Sequence, residues 1–269
     1  MQLVKSSAGM TPKAIVLFDI DGVVRDVAGS YRRAIVETVQ HYCQQRPEPA
    51  AIDSLKGEGC WNNDWEASLE LLRRLGHTPL PDLGSLVEVF GGFYFGGDPE
   101  GDPSLWQGFI GSEPLLVQPS FFAELSAAGV AWGFVSGAES PSCRYVLETR
   151  LGLVKPPLIA MGDAPDKPDP TGLLRLAAAL AGEPLGPGAP AVVYLGDTVA
   201  DVLTVQRARS QQPNQRFISL AVAPPHLHGN PEARRSYEAR LLAAGADQVI
   251  ASTEELLGSL EGLDAINRR

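Results

Sequence analysis

The chain has few of the residues that build disulfide frameworks and zinc sites. Its 269 residues include three cysteines, Cys43, Cys60 and Cys143, widely spaced and without a CxxC pair. The four histidines show no ligand spacing, and His226 and His228 sit in a Pro-rich loop that reads as surface or site rim. These counts argue against a disulfide scaffold or a zinc knuckle and fit a reducing cytoplasm. Long apolar runs are also missing, and nothing approaches the ~20 residues of a membrane span. The first 13 residues, MQLVKSSAGMTPK, have no apolar signal core and read as a loose leader. Basic residues are in deficit, 22 against 32 acidic, for a net charge of -10. That balance argues against nucleic acid or an anionic membrane as the main partner. It also means that an anionic substrate needs a local positive device.

Apolar residues are plentiful, at 44% of the chain, so a buried core is expected. The length allows one large α/β domain, or one domain carrying a smaller insertion. The stretch that organises the rest is AIVLFDIDGVVRD, residues 14–26. Its apolar half has no helical period and reads as a strand buried on both faces, as in parallel sheets. Asp19 and Asp21 then stand at the carboxyl end of that strand, where open α/β sheets place their sites. Gly22 permits a sharp turn or a close backbone approach. Taken alone, the two acids fit a solvated strand end as well as a nucleophile and a proton carrier sharing one hard cation. An EF-hand loop fails on glycine spacing and on the preceding strand.

Helical stripes follow over residues 29–45, 50–55, 66–75 and 83–92. Residues 91–111 are glycine-rich with interleaved aromatics and read as a long loop and hinge. From Pro119 the pattern becomes strand–helix alternation, with strands at 130–135, 158–161, 191–195, 217–222 and 248–251. Helices are expected at 120–128, 142–151, 171–181, 200–209, 232–244 and 253–260. The whole predicts a doubly wound parallel, Rossmann-like sheet interrupted after its first strand by a helical cap. The expected division is a leader at 1–13, a core at 14–26 and 112–269, and a cap with its hinge at 27–111.

Four stretches now stand in order on loops after strands: Asp19-Ile-Asp21-Gly22, Val135-Ser136-Gly137, Lys167-Pro-Asp-Pro170 and Gly196-Asp197-Thr198-Val-Ala-Asp201. With these motifs the chain resembles the haloacid dehalogenase superfamily, in the subgroup with a helical cap after the first strand. The resemblance implies a Mg²⁺-dependent phosphoryl-transfer enzyme. Asp19 would be the nucleophile, Asp21 the general acid and base, and Ser136 and Lys167 the holders of phosphoryl oxygens. Asp19, Asp197 and the backbone carbonyl of Asp21 would ligate the metal. Asp201, Gly22, Gly137 and Thr198 would support them. Read singly, Ser136 also fits a helix cap, Lys167 plain surface and Asp201 a first-turn helix charge.

Asp21 separates the chain from true dehalogenases, which need only the first aspartate. Phosphonatases of this fold use a cap lysine and lack the second aspartate. Sugar-phosphate mutases use a cap histidine and a cap arginine. Tyr31 stands at the histidine position, and the corresponding loop at 56–65 has no arginine. The expectation is therefore a cytoplasmic phosphomonoesterase for a small phosphorylated metabolite, a sugar or polyol phosphate first. Phosphoglycolate and histidinol phosphate are further options. A phosphomutase and a non-catalytic binding protein of the same fold are the alternatives, and the oligomeric state is open. Arg25, Trp61, Asn62, Asn63 and Asp64 are candidate substrate contacts. The last four also fit a capped helix start with packing tryptophans. Trp106 and the glycine-rich stretch are expected to close over the site.

Overall fold

The computed structural model describes residues 11–58, 60–61 and 63–266. Five consecutive apolar residues form β1 (Ala14–Phe18), and no charged group interrupts its pairing on either edge. It runs parallel to β2 (Val130–Val135) and to β4 (Ala191–Gly196), with Phe18 opposite Phe134 on one side and Leu195 on the other. With β3 (Leu158–Ile159), β5 (Phe217–Val222) and β6 (Gln248–Ile250), the sheet has six strands in the order β3-β2-β1-β4-β5-β6. The order reverses at β1, so the crevice beyond the ends of β1 and β4 is the switch point of the sheet.

Alternate residues of β1 serve opposite faces, as strand geometry requires. Val16 and Phe18 join one core cluster, and Ile15 and Leu17 join another with Leu173 and Val205. These last two come from α7 (Thr171–Ala181) and α8 (Val199–Gln211). The remaining helices of this part are α5 (Pro119–Ala127), α6 (Ser140–Arg144), α9 (Pro231–Ala243) and α10 (Leu256–Ile266). α6 passes into a π-helical turn at Tyr145–Arg150, where one continuous helix is expected from the sequence.

Between β1 and β2 the chain forms α1 (Tyr31–Cys43), α2 (Pro49–Lys56), α3 (Asp64–Arg74) and α4 (Leu83–Tyr94), with α1 packed on both α3 and α4. Asn63 caps α3 by accepting from the backbone N–H groups of Trp65 and Glu66. In the glycine-rich stretch, the backbone crosses itself closely. A Cβ on Gly108 would lie 2.2 Å from the carbonyl oxygen of Tyr94, and Gly108 donates to Phe95 at 2.8 Å. Glycine is required there for approach, and only glycine gives it. Trp106 packs beside Phe95 and Tyr145 and donates to the carbonyl of Asp98, so it lies in that crossing and not on the cavity.

Phe18 is fully buried, with the rings of Phe121, Phe122 and Phe134 at centroid distances of 5.9, 5.7 and 5.9 Å. Phe18→Ala is expected to destabilise the protein by about 3–5 kcal/mol, read as a lower urea midpoint with an unchanged m-value.

Candidate active site

Four loops leave the carboxyl ends of adjacent strands and bring their polar groups to one cavity. Asp19 follows β1 directly, and its N–H is held by Leu195 of β4 at 2.9 Å. Ser136 follows β2, with its N–H on Ile159 at 2.9 Å and its Oγ accepting from Ala138 N at 3.1 Å. Asp197 follows β4, and Thr198 opens α8 as its N-cap, closing a capping box with Asp201. Gly22 has φ +73°, and a Cβ there would lie 2.1 Å from Asp197 Oδ2. Glycine is thus what lets the two loops interlock.

Lys167 is buried among these acids. Its Nζ lies 3.0 Å from Asp19 Oδ1, 2.6 Å from Asp201 Oδ1 and 3.2 Å from the Tyr194 hydroxyl. That hydroxyl is in turn 2.9 Å from the carbonyl of Val135 and 3.0 Å from Asp201 Oδ1. Asp201 Oδ2 accepts from the N–H of Thr198 at 3.0 Å and from its hydroxyl at 2.6 Å. Both oxygens of Asp201 are therefore engaged, and its work is to hold Lys167 and the start of α8.

The charges do not balance. Asp19, Asp197 and Asp201 are all buried and each offers an oxygen within 4.8 Å of the others, with one ammonium between them. Burial pushes Asp19 up to about 7, with Asp201 and Asp21 adding to the rise and Lys167 opposing it. Burial, followed by the charge of Asp19, raises Asp197 well above the carboxylate range. Burial works against Asp201 as well, but Lys167 and the Thr198 bonds outweigh it and hold that acid below its usual value. Burial opposes the charge on Lys167 too, yet Asp19 and Asp201 keep its pKa well above normal. Two strained carboxylates with oxygens near one another form the donor set that a hard divalent cation relieves. Asp19 and Asp197 fit such an ion, and Asp201 stands as their support.

Asp21 lines the same cavity with a side chain one-quarter exposed. Arg25 differs from the sequence expectation. It is fully buried, and its guanidinium donates to Asp21, Glu113 and Ser142, so it is not offered to a substrate. Trp61 is also withdrawn, its ring against the core cluster and its Nε1 on Glu58 at 2.8 Å. Asn63 is spent on the α3 cap, and Asn62 lies outside the described residues. Asp64 does line the cavity, ion-paired with Lys56, and Trp65 stands beside it. Gly22, Gly137 and Thr198 are at the cavity wall.

The structure adds residues that the sequence hid. Tyr194 lies in an apolar strand and gives no polar signal. Asp53 of α2 sits 3.0 Å from His226 Nε2, in the loop after β5, and accepts from Arg32 at 2.6 Å. Burial would raise Asp53, but these bonds hold it lower. The contact ties the helical block to the sheet across the cavity. Glu139, three residues after Ser136, also lines the cavity and is pushed up to about 7 by burial, with Glu100 adding.

The sheet and this carboxylate–lysine cluster place a buried acidic site at the topological switch point of a doubly wound α/β fold. The haloacid dehalogenase-like hydrolase family matches residues 13–209, and the chain belongs to that family. It is 31% identical over 204 residues to the imidazoleglycerol-phosphate dehydratase of Phytophthora nicotianae, a match covering 74% of this chain and 42% of that protein. The chain thus spans less than half the length of this relative. Among solved structures, it resembles a phosphonoacetaldehyde hydrolase-like protein from Oleispira antarctica, with TM-score 0.68, 16% identity and coverage of 98% of this chain and 97% of that one. A hydrolase from Pseudomonas syringae gives TM-score 0.64 at 18% identity, covering 93% and 98%. Phosphatase Tt82 from Thermococcus thioreducens gives 0.57 at 22%, covering 76% and 92%. At these identities the likeness is one of fold.

The raised pKa of Asp19 has a consequence for the metal-free protein. An acid whose pKa rises from 3.8 to about 7 on folding destabilises the native state fully above pH 7 and not at all below its unfolded value. In EDTA at pH 8, Asp19→Asn is expected to melt above the wild type, and the gap is expected to shrink as the pH falls to 5. Thermal scans at the two pH values check this.

Proposed function

We propose that the protein is a phosphomonoester hydrolase working through an aspartyl-phosphate on Asp19. The observation that carries the reading is the buried cluster of Asp19, Asp197 and Asp201 around Lys167, with Asp21 beside it on the same cavity. Asp19 Oδ attacks phosphorus, and the ester P–O bond breaks. Asp21 gives its proton to the leaving oxygen. Asp21, now a carboxylate, takes a proton from water, whose oxygen attacks the same phosphorus and breaks the bond to Asp19. Inorganic phosphate leaves, and both acids return to their starting states. Lys167 and Ser136 balance and hold the phosphoryl oxygens. Asp19, Asp197 and, by the family resemblance, the Asp21 carbonyl would hold Mg²⁺. When bound, it would supply positive charge to the phosphoryl oxygens.

The substrate in this reading is a small phosphorylated metabolite, because the helical block stands over the cavity and acts as a cap. A sugar or polyol phosphate remains the first choice. The name of the Phytophthora relative adds an imidazole-bearing polyol phosphate to the candidates. The phosphomutase reading is weaker, since Tyr31 holds the histidine position and Arg32 is paired with Asp53. The three free cysteines support a reducing compartment such as the cytoplasm. Among the described residues, no helix is long and apolar enough to cross a membrane.

The test is phosphate release from a panel of sugar, polyol and amino-alcohol phosphates, histidinol phosphate and imidazoleglycerol phosphate included, with Mg²⁺ or with EDTA. Release is expected with Mg²⁺ only, and Asp19→Asn is expected to abolish it. Absence of release from every compound by folded, Mg²⁺-supplied protein would overturn the reading.

A further inference from the structure

Behind Asp21 lies a set of buried polar groups that the proposed chemistry leaves unused. Arg25 is at its centre. Its Nε donates to Asp21 Oδ1 at 2.7 Å, its Nη1 to Glu113 Oε2 at 2.9 Å and its Nη2 to Ser142 Oγ at 2.8 Å. Glu113 Oε1 accepts from Ser30 at 2.5 Å and from the Tyr94 hydroxyl at 3.1 Å. The Tyr94 hydroxyl is 2.8 Å from Ser142 Oγ, which closes the ring of contacts.

The members come from both strands of chain that join the helical block to the sheet. Asp21, Arg25 and Ser30 lie on the way out, and Glu113 lies on the way back. The two segments are also bonded through their backbones, Asp26 N to Pro114 O at 2.9 Å and Leu116 N to Val24 O at 2.8 Å. A fully buried ion pair is weak ground for stability by itself, because desolvation offsets the attraction. Here the guanidinium does something further. Its third edge is spent on a carboxylate that faces the cavity, and that edge fixes one oxygen of the pair.

We propose that Arg25 is a positioning residue for Asp21. It holds Oδ1, so that Oδ2, which has no hydrogen-bond partner among the described residues, is the oxygen that exchanges a proton with the leaving group and with water. Glu113 and Ser142 hold Arg25 in turn, so the orientation of Asp21 is set by the two segments that carry the helical block. The assignment rests on the phosphomonoesterase reading above.

The variants are Arg25→Gln combined with Glu113→Gln, which leaves no buried charge unpaired, and Arg25→Lys alone, which keeps the charge but loses the planar three-way fork. Two esters are compared: the alkyl phosphate that the wild type turns over fastest, and p-nitrophenyl phosphate, whose leaving group needs little help from an acid. With the alkyl ester, kcat of the paired variant is expected to fall about 100-fold with KM within about threefold, the scale of general acid–base catalysis. The first-turnover burst of nitrophenolate is expected to slow less than about fivefold, since that step does not need the Asp21 proton. Arg25→Lys is expected to fall between these limits with the same preference. Either variant decides the matter if the other fails to fold. Equal losses on both esters, or no loss, with cooperative unfolding retained, would overturn the assignment and leave Arg25 a structural residue. A wild type inactive on both esters is a different result: it removes the phosphomonoesterase reading, and the role of Arg25 with it.

Discussion

The interaction on which the rest depends is the contact of one buried ammonium with two buried carboxylates. Lys167 touches Asp19 and Asp201, and Tyr194 backs it from the strand between them. At low dielectric each such contact is strong, and each charge is expensive to strand without a partner. The geometry therefore constrains four elements at once. β1 delivers Asp19, the loop after β3 delivers Lys167, β4 delivers Asp197 and Tyr194, and the first turn of α8 delivers Asp201. β1, the loop after β3 and α8 cannot shift without unpairing a charge, and β4 cannot shift without breaking the Tyr194 bonds to Lys167 and Asp201. The cluster is nevertheless left with more negative than positive charge, and that residual imbalance is the chemical resource of the site. It favours a cation between Asp19 and Asp197.

The helical block completes the cavity from the other side. Asp53 of α2 reaches His226 of the sheet domain, while Lys56 and Asp64 pair across the start of α3. Asp19, Ser136, Lys167 and Asp197 all come from the sheet loops. Tyr31, Asp53 and Trp65, which line the same cavity, come from the helices. The two sides of the cavity are thus lined by separate layers of the protein.

Much of the fold is legible in the sequence. A strand buried on both faces has an unmistakable apolar run, and β1, β4 and β5 all show one. Asp19 and Asp197 stand out because each directly follows such a run, after β1 and β4. What the sequence concealed has a common physical cause. Arg25 reads as a cation near an acidic motif, and its burial follows from Glu113 and Ser142, partners 88 and 117 residues away. Tyr194 is indistinguishable in sequence from an apolar strand residue until Lys167 is placed beside it. Asn63 and Trp61 were ambiguous for a local reason: an amide before a helix serves a cap or a ligand equally well, and only the backbone N–H groups of Trp65 and Glu66 decide it. Pairings distant in sequence carried no local signal, whereas pairings set by strand and helix periodicity did.

The position of β1 in the sheet has a bearing on how the chain is made. Among the described elements it comes first in sequence, yet its two neighbours begin at Val130 and Ala191. During synthesis, a five-residue apolar strand therefore waits with both edges bare while more than a hundred residues are added. The intervening α1, α3 and α4 make their contacts with one another over short sequence distances and can pack early. Both edges of β1 are paired only once β4, the strand that leads into Asp197, has been added. The pairing that covers the second edge of this apolar strand also brings Asp197 beside Asp19, so protection of the edge and the meeting of the two acids are one event.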